Sequence, residues 1–378
     1  MNRTQLNGLL DKVNDRLMHL GLPEGAENVD YSNMKEIFKG LNPRDFGIEE
    51  WDWPQGVGLY GFVQLQKARR CTDYDEFIIG WVKRNLERGL PSRNINTTAP
   101  FLAVLDVTQR HNLPEWEALC REHADWLLKE LPRTQDGGFQ HVTTAIPDRN
   151  SVNLNEEQLW DDTLFMAVLF LGKMGVRYGN QAWIEESIHQ FLVHILYLYE
   201  RGTGLLYHGW TFKGNHNFGR IFWNRGNSWF TYGCIAYLES MGAQIPVCVK
   251  TFILDVWRHQ VETLKKLQNP SGLWPTVLDD PESYEEASGS AAIAAGILMG
   301  VRSGLLDPSY REVGLRAVEG VIACIMEDGT VGRVSSGTGM GLDEQHYLDI
   351  VIRPMAYGQS LASLALTEAL YFVDDAKR

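Results

Sequence analysis

The sequence predicts an all-α fold, a six-hairpin (α/α)6 toroid, and three observations carry that prediction. Apolar residues recur at helical spacing along most of the chain, while alternating β-branched runs are scarce. The helices so defined are of two kinds, one amphipathic and one apolar or small nearly all round. A Gly-aromatic segment separates each helix of the first kind from the next of the second.

In chain order the periodicity places helices near 4–20, 56–70, 73–88, 97–110, 114–131, 156–175, 180–200, 225–241, 246–268, 284–302, 308–326 and 354–373. The first, within "MNRTQLNGLLDKVNDRL", is amphipathic and broken by charges, without the apolar centre of a signal peptide. "PEWEALCREHADWLLKEL" keeps a charged face and suits an outer position, whereas "DDTLFMAVLFLGKMG", "SGSAAIAAGILMG" and "GQSLASLALTEAL" suit helices enclosed by others. The intervening segments are "WDWPQGVGLYG", "GLPSRNINTTAP", "DGGFQHVTTA", "TGLLYHGW", "SGLWPTV" and "DGTVGRV", the later ones about 57 to 68 residues apart. Six outer-inner pairs closing on themselves gather these segments at one mouth, where the inner helices begin. A ring of helix N-termini there favours an anion. No linker or low-complexity stretch interrupts the pattern, so a single domain over residues 1–378 is expected.

The formal net charge of −13 opposes binding of nucleic acid over the surface as a whole, yet a small anion fits a locally positive mouth. No run of about 18 apolar residues is present, so no membrane span is expected. Five scattered cysteines without metal-ligand spacing point to reduced thiols and a cytoplasmic location. There is no HExxH, Walker motif or Cys/His cluster, so neither a metal nor another cofactor is expected. "GTGMG" at 337–341 lacks a preceding strand and a βαβ setting, which argues against a nucleotide site. "NTT" at 96–98 is a glycosylation sequon by pattern only, of no consequence in a cytoplasm.

The stretch "NEEQLWDDTLFM" sets two carboxylates at the head of a buried helix. With Asn155 as N-cap and Gln158 at the capping-box position, Asp161 and Asp162 fall in the second turn, past most of the dipole's stabilisation. Asp162 then shares a face with Met166 and Leu169 and is the candidate acid/base, Asp161 the weaker one. The two are adjacent on a helix and point about 100° apart, so they cannot be an opposed glycosidase pair. At the same mouth lie His208, and Trp223, Arg225 and Trp229 of "FWNRGNSWF", with Asn224 as a cap. Arg225 between two tryptophans fits either a structural cation–π clamp or the partner of a substrate carboxylate. His141 and Trp51 are candidates of the same kind, each equally suited to packing.

The ordered set "GGFQH", "QLWDDTLFM", "GLLYHGW", "WNRGNSW" and "EASGS", within residues 51 to 370, resembles the glycoside hydrolase families of unsaturated uronyl hydrolases, closest to unsaturated rhamnogalacturonyl hydrolases. The resemblance implies removal of a terminal 4,5-unsaturated uronic acid from oligosaccharides left by a polysaccharide lyase, as in pectin degradation. It gives the general acid/base role to Asp162 and substrate contact to Trp160, His208, Trp223, Arg225 and Trp229. Several relatives carry a second Asp where this chain reads "NINTTAP"; Asn96 hydrogen-bonds substrate there but exchanges no proton. The implied chemistry is hydration of a vinyl ether, for which Asp162 starts protonated, aided by desolvation beside Trp160 and Met166. The rivals are a conventional glycosidase, a polysaccharide lyase using Tyr207–His208, and a non-catalytic sugar-binding protein.

Overall fold

The computed structural model describes residues 2–23 and 42–373. Its first helix, α1 (Arg3–Met18), starts from a capping box between Asn2 and Gln5. There follow α2 (Trp53–Arg69), α3 (Asp75–Arg88), α4 (Phe101–His111), α5 (Pro114–Lys129), α6 (Leu169–Tyr178) and α7 (Gln181–Leu198). The chain continues through α8 (Asn224–Met241), α9 (Val247–Leu267), α10 (Ala287–Arg302), α11 (Arg311–Ala323), a short α12 (Glu344–Leu348) and α13 (Ala356–Ala369). Helix α12 lies in a stretch that the periodicity leaves as loop.

Helices α2, α4, α6, α8, α10 and α13 form an inner ring, each packed on its neighbours, with α13 returning against α2. Helix α1 then packs on α13 and closes the outer layer. This is the (α/α)6 barrel. Its inner members are buried on every side: all of α13 and all of α10 from Ala287 to Gly300 are inaccessible. Helices without side-chain bulk approach closely. A Cβ added at Gly296 would stand 2.6 Å from the Thr231 carbonyl oxygen of α8, and one at Gly300 would stand 2.4 Å from the Trp257 ring of α9. The seam is closed by polar side chains: Asn14 Nδ2 donates to Ser363 Oγ at 3.0 Å, Gln359 Nε2 to the Val13 carbonyl at 3.1 Å, and Ser360 Oγ to the Val57 carbonyl at 2.6 Å.

The helix expected from 156 is different. Asn155 and Glu157 take left-handed backbone conformations, and after the two-residue strands β1 (Thr143–Thr144) and β2 (Val152–Asn153), Gln158–Trp160 is a strand, β3, rather than a first turn. It pairs with a strand at Gly209–Thr211, so that Trp160 lies opposite Gly209. Helical structure begins only at Asp162, widens into a π turn over Leu164–Val168 and runs on as α6. Both aspartates therefore sit at the head of the helix, not in its second turn. A pairing partner some 50 residues away wins over the local capping pattern.

Neighbouring segments at the mouth are joined by backbone hydrogen bonds. Ile95 N–H donates to Val142 at 3.1 Å, His141 to Gln158 at 2.9 Å, Asp161 to His208 at 3.1 Å, Asn224 to Thr276 at 2.9 Å, and Ala287 to Arg333 at 2.9 Å. Among the described residues no helix is long and apolar enough to cross a membrane. The five cysteines are free.

The packing makes a signed prediction. Gly296→Ala should destabilise by about 1–3 kcal/mol through overpacking against α8, more than the ~1 kcal/mol that alanine adds to an open helix. Gly8→Ala, on the exposed face of α1 with nothing within 4 Å, should stabilise instead. Denaturant midpoints of the two variants moving in the same direction would contradict this account of the inner ring.

Candidate active site

The mouth holds a cavity of about 900 Å³ whose lining includes Asn96, His141, Trp160, Asp162 and Trp223. These five expected residues are brought together. They arrive from three connections: Asn96 from the turn before α4, His141 and, on β3, Trp160 from the connection between α5 and α6, and Trp223 from the residue before α8.

Asp162 is the half-buried member of the acid pair and faces the cavity; Asp161 is fully buried behind it. Space for Asp161 exists because residue 226 is glycine, where a Cβ would lie 2.4 Å from Asp161 Oδ2. His208 lies just behind the wall, with Nε2 3.3 Å from Asp162 Oδ2. Its Nδ1 is 2.6 Å from the Tyr347 hydroxyl, which itself accepts the Gly341 N–H at 3.2 Å. Burial pushes the Tyr347 phenol up, so it stays protonated and donates to Nδ1. That assigns the proton of a neutral His208 to Nε2, facing Asp162. The rings pack in sequence: His141 lies flat on Trp160 at 4.2 Å, Trp160 meets His208 edge-on at 5.3 Å, and Trp223 leans on His208 at 4.5 Å.

The two carboxyls are driven apart. Burial pushes Asp161 well above the usual carboxylate range, and the charge of Asp162 adds to this. Burial also pushes Asp162 up, but the imidazole of His208 at 3.3 Å, then that of His141, outweigh it and hold it below that range. The expectation that apolar neighbours keep Asp162 itself protonated is thus corrected. The two shifts are opposed, so a proton shared by the pair favours Asp161. A protonated Asp161 also supplies the donor that its two otherwise unpartnered oxygens need against Asp162. His141 is held neutral, pushed down to about 3 by burial. Asp161, Asp162 and His208 each bring one potential ligand atom within 4.8 Å of the others.

Four expected contact residues do not line the cavity: His208, behind its wall, and Arg225, Trp229 and Trp51. Arg225 is wholly buried; its guanidinium donates to the Ser335 carbonyl at 2.9 Å and the Ser336 carbonyl at 2.7 Å, with Glu286 Oε1 at 3.8 Å. It lies behind the Trp223 ring at 4.4 Å, so it braces that wall instead of meeting a ligand. Trp229 is buried beneath the floor, edge-on to Trp53 at 6.1 Å. Trp51 stacks on Trp81 at 5.1 Å in the core and donates its indole N–H to the Thr97 carbonyl at 3.0 Å, steadying the turn that carries Asn96. Because Asp52 between them is extended, Trp51 and Trp53 point to opposite sides, and Trp53 is the one that lines the cavity.

Sequence reasoning passed over Arg44, Asp45, Asp52, Trp53 and His346, which also line the cavity. Asp52 before Trp53-Pro54 was a readable N-cap signal, and its side chain does accept the Trp53 N–H at 2.8 Å. The glycine-rich 337–341 loop forms part of the wall.

A helical toroid with a carboxylate among stacked rings at its mouth defines a carbohydrate-processing hydrolase. The chain is 32% identical over 348 residues to the unsaturated rhamnogalacturonyl hydrolase YesR of Bacillus subtilis, covering 90% of this chain and 96% of that one. A solved structure from Salmonella enterica, described as a possible member of the GH105 family, superposes with a TM-score of 0.90 at 35% identity, covering 98% of this chain and 95% of that one. The unsaturated glucuronyl hydrolase of Bacillus sp. GL1 shares the fold at a TM-score of 0.67 and 16% identity, covering 96% of each chain. The model of Glycosyl Hydrolase Family 88 matches residues 28–373, and the protein belongs to that family.

Asp162→Asn should retain the fold and lose at least the ~10²–10⁴-fold that acid/base catalysis contributes. Asp161→Asn should lose less, since the amide still donates to Asp162; equal losses in kcat would reverse the assignment. Arg225→Ala should cost about 3–5 kcal/mol in denaturation, the usual effect of breaking a buried ion pair. A tenfold rise in KM with an unchanged denaturation midpoint would instead put that guanidinium on the substrate.

Proposed function

We propose that the protein removes a terminal 4,5-unsaturated uronic acid from lyase-generated oligosaccharides, with rhamnogalacturonan fragments of pectin as the favoured source, acting as one catalytic domain in the cytoplasm. The observation that carries this reading is Asp162 facing the cavity with His208 at 3.3 Å, between the rings of Trp160 and Trp223. The activity named for the similar YesR protein supports it.

Hydration of the double bond requires one group to act first as acid and then as base. The substrate's own carboxylate raises the proton affinity of Asp162 as it enters, so the proton held by the pair moves from Asp161 to Asp162. Asp162 delivers that proton to C4. The π electrons form the new C–H bond, and positive charge develops at C5 and the ring oxygen. Asp162, ionised again, accepts a proton from the water that attacks C5. The resulting hemiketal opens and the aglycone is released. The positive ends of the inner helices meet the uronate carboxylate, with Arg225 behind the Trp223 ring adding to the field. Asn96 contributes a neutral hydrogen bond from the cavity wall.

The ultraviolet band of the unsaturated ring should fade in step with aglycone release, while a saturated uronide of the same linkage stays intact. In heavy-oxygen water the early product should carry label at C5, and in deuterated water one deuterium at C4. Cleavage of the saturated compound at a comparable rate, or label at the anomeric carbon, would overturn hydration in favour of ordinary glycosidic hydrolysis.

A further inference from the structure

The cavity has a second wall that the hydration chemistry does not use. It is built by residues 42–53 and Gly337. Asp52 is fully engaged: Oδ1 accepts the Trp53 N–H at 2.8 Å and Oδ2 accepts the Thr144 hydroxyl at 2.9 Å. Arg44 is engaged too, its guanidinium donating to the Ala145 carbonyl at 3.0 Å and the Thr144 carbonyl at 3.4 Å. Its remaining Nε faces Asp52 Oδ2 at 3.6 Å. Asp45 is different. Oδ1 accepts from Asn42 Nδ2 at 3.0 Å, but Oδ2 receives no hydrogen bond from any described residue. That oxygen has room only because residue 337 is glycine: a Cβ there would be 2.8 Å from Asp45 Oδ2 and 3.2 Å from the Trp53 ring. Trp53 is itself fixed by stacking on Tyr357 at 4.6 Å.

A free carboxylate oxygen beside a steadied indole suits a sugar hydroxyl and its ring face. The same wall is hostile to an anion. It carries two carboxylates against one guanidinium, which is held against the Ala145 and Thr144 carbonyls, and no other lysine or arginine lines the cavity among the described residues. Asn96 brings no charge to the cavity, and Asp45 brings a carboxylate to it from another segment.

We propose that Asp45 is a specificity-determining residue, which accepts a hydrogen bond from a hydroxyl of an uncharged sugar next to the uronate and excludes a sulfated or second acidic sugar there. The inference rests on the hydrolase reading above and sharpens its substrate class. The charge of Asp45 is itself adjustable. Burial, then Asp52, push it up to about 7 against the pull of Arg44, and Arg225 of α8 and Tyr357 of α13 also face it. Below that pH it is neutral and the exclusion of anions relaxes; above it the exclusion is complete.

The test compares two lyase-made unsaturated disaccharides that differ only in a sulfate on the second sugar. The wild type should prefer the uncharged one, increasingly so as pH rises through about 7. Asp45→Asn, nearly isosteric, should raise KM for the uncharged substrate on the order of 10- to 100-fold with a smaller change in kcat. It should also shrink the preference at least tenfold and flatten its pH dependence. Gly337→Ala, which crowds the same oxygen, should move KM and preference in the same direction even if Asp45→Asn does not fold. An unchanged preference in folded, active variants would overturn the inference alone. Failure of the wild type to turn over either compound would overturn the hydrolase reading and this inference with it.

Discussion

The site depends on the backbone girdle at the mouth. The helical stretches of α6, α8 and α10 begin where their own N–H, or that of the residue beside it, is tied to the carbonyl of another segment, as Asp161 is to His208, Asn224 to Thr276 and Ala287 to Arg333. Buried peptide groups must find partners, and at these helix heads the partner is the neighbouring segment instead of water. The consequence is register. Asp162 belongs to one interhelical segment and His208 and Trp223 to the next, yet one layer of main-chain bonds and the β3 pairing set the distances between them. A catalytic group needs positioning to within a fraction of an ångström, and main chain holds position better than a flexible side chain does.

Within that frame, electrostatics separates two adjacent and chemically identical residues. Asp161 is enclosed beside the charge of Asp162, so it is pushed toward keeping a proton; Asp162 has two imidazoles nearby, which hold it down. An acidic protein thereby handles an anionic substrate without a free arginine at the reacting end. The charge of Arg225 is held one layer back, where Glu286 and two carbonyls satisfy it.

Much of this was legible in the chain. The alternation of enclosed and amphipathic helices gave the toroid, because a helix apolar on all sides has only one place to be. Asp162, Trp160, His141, Trp223 and Asn96 were legible as cavity residues because each lies in a segment between an outer and an inner helix. What could not be read was the orientation of side chains within those segments. Trp51 and Trp53 are two residues apart, and only the extended backbone at Asp52 decides which enters the core. Arg225 and Trp229 are four apart on α8 and so share a face, one that turns away from the cavity. The start of the helix after Trp160 was misjudged for a related reason. Its partner strand is remote in sequence, and local capping rules do not see it.

The seam where α13 meets α1 and α2 adds a constraint of a different kind, one of time. The bond between Asn14 and Ser363 spans 349 positions of sequence, and that between Val57 and Ser360 spans 303. Contacts so remote carry the largest loop-closure cost and reward it last. Hairpins between the ends can assemble from neighbours, but the ring cannot close until both termini of the fold have been made. Until then the small-residue faces of α10 and α13 that later bury against other helices stand open to solvent. The molecule is therefore most exposed to misassociation late in folding, when nearly all of its secondary structure is already in place.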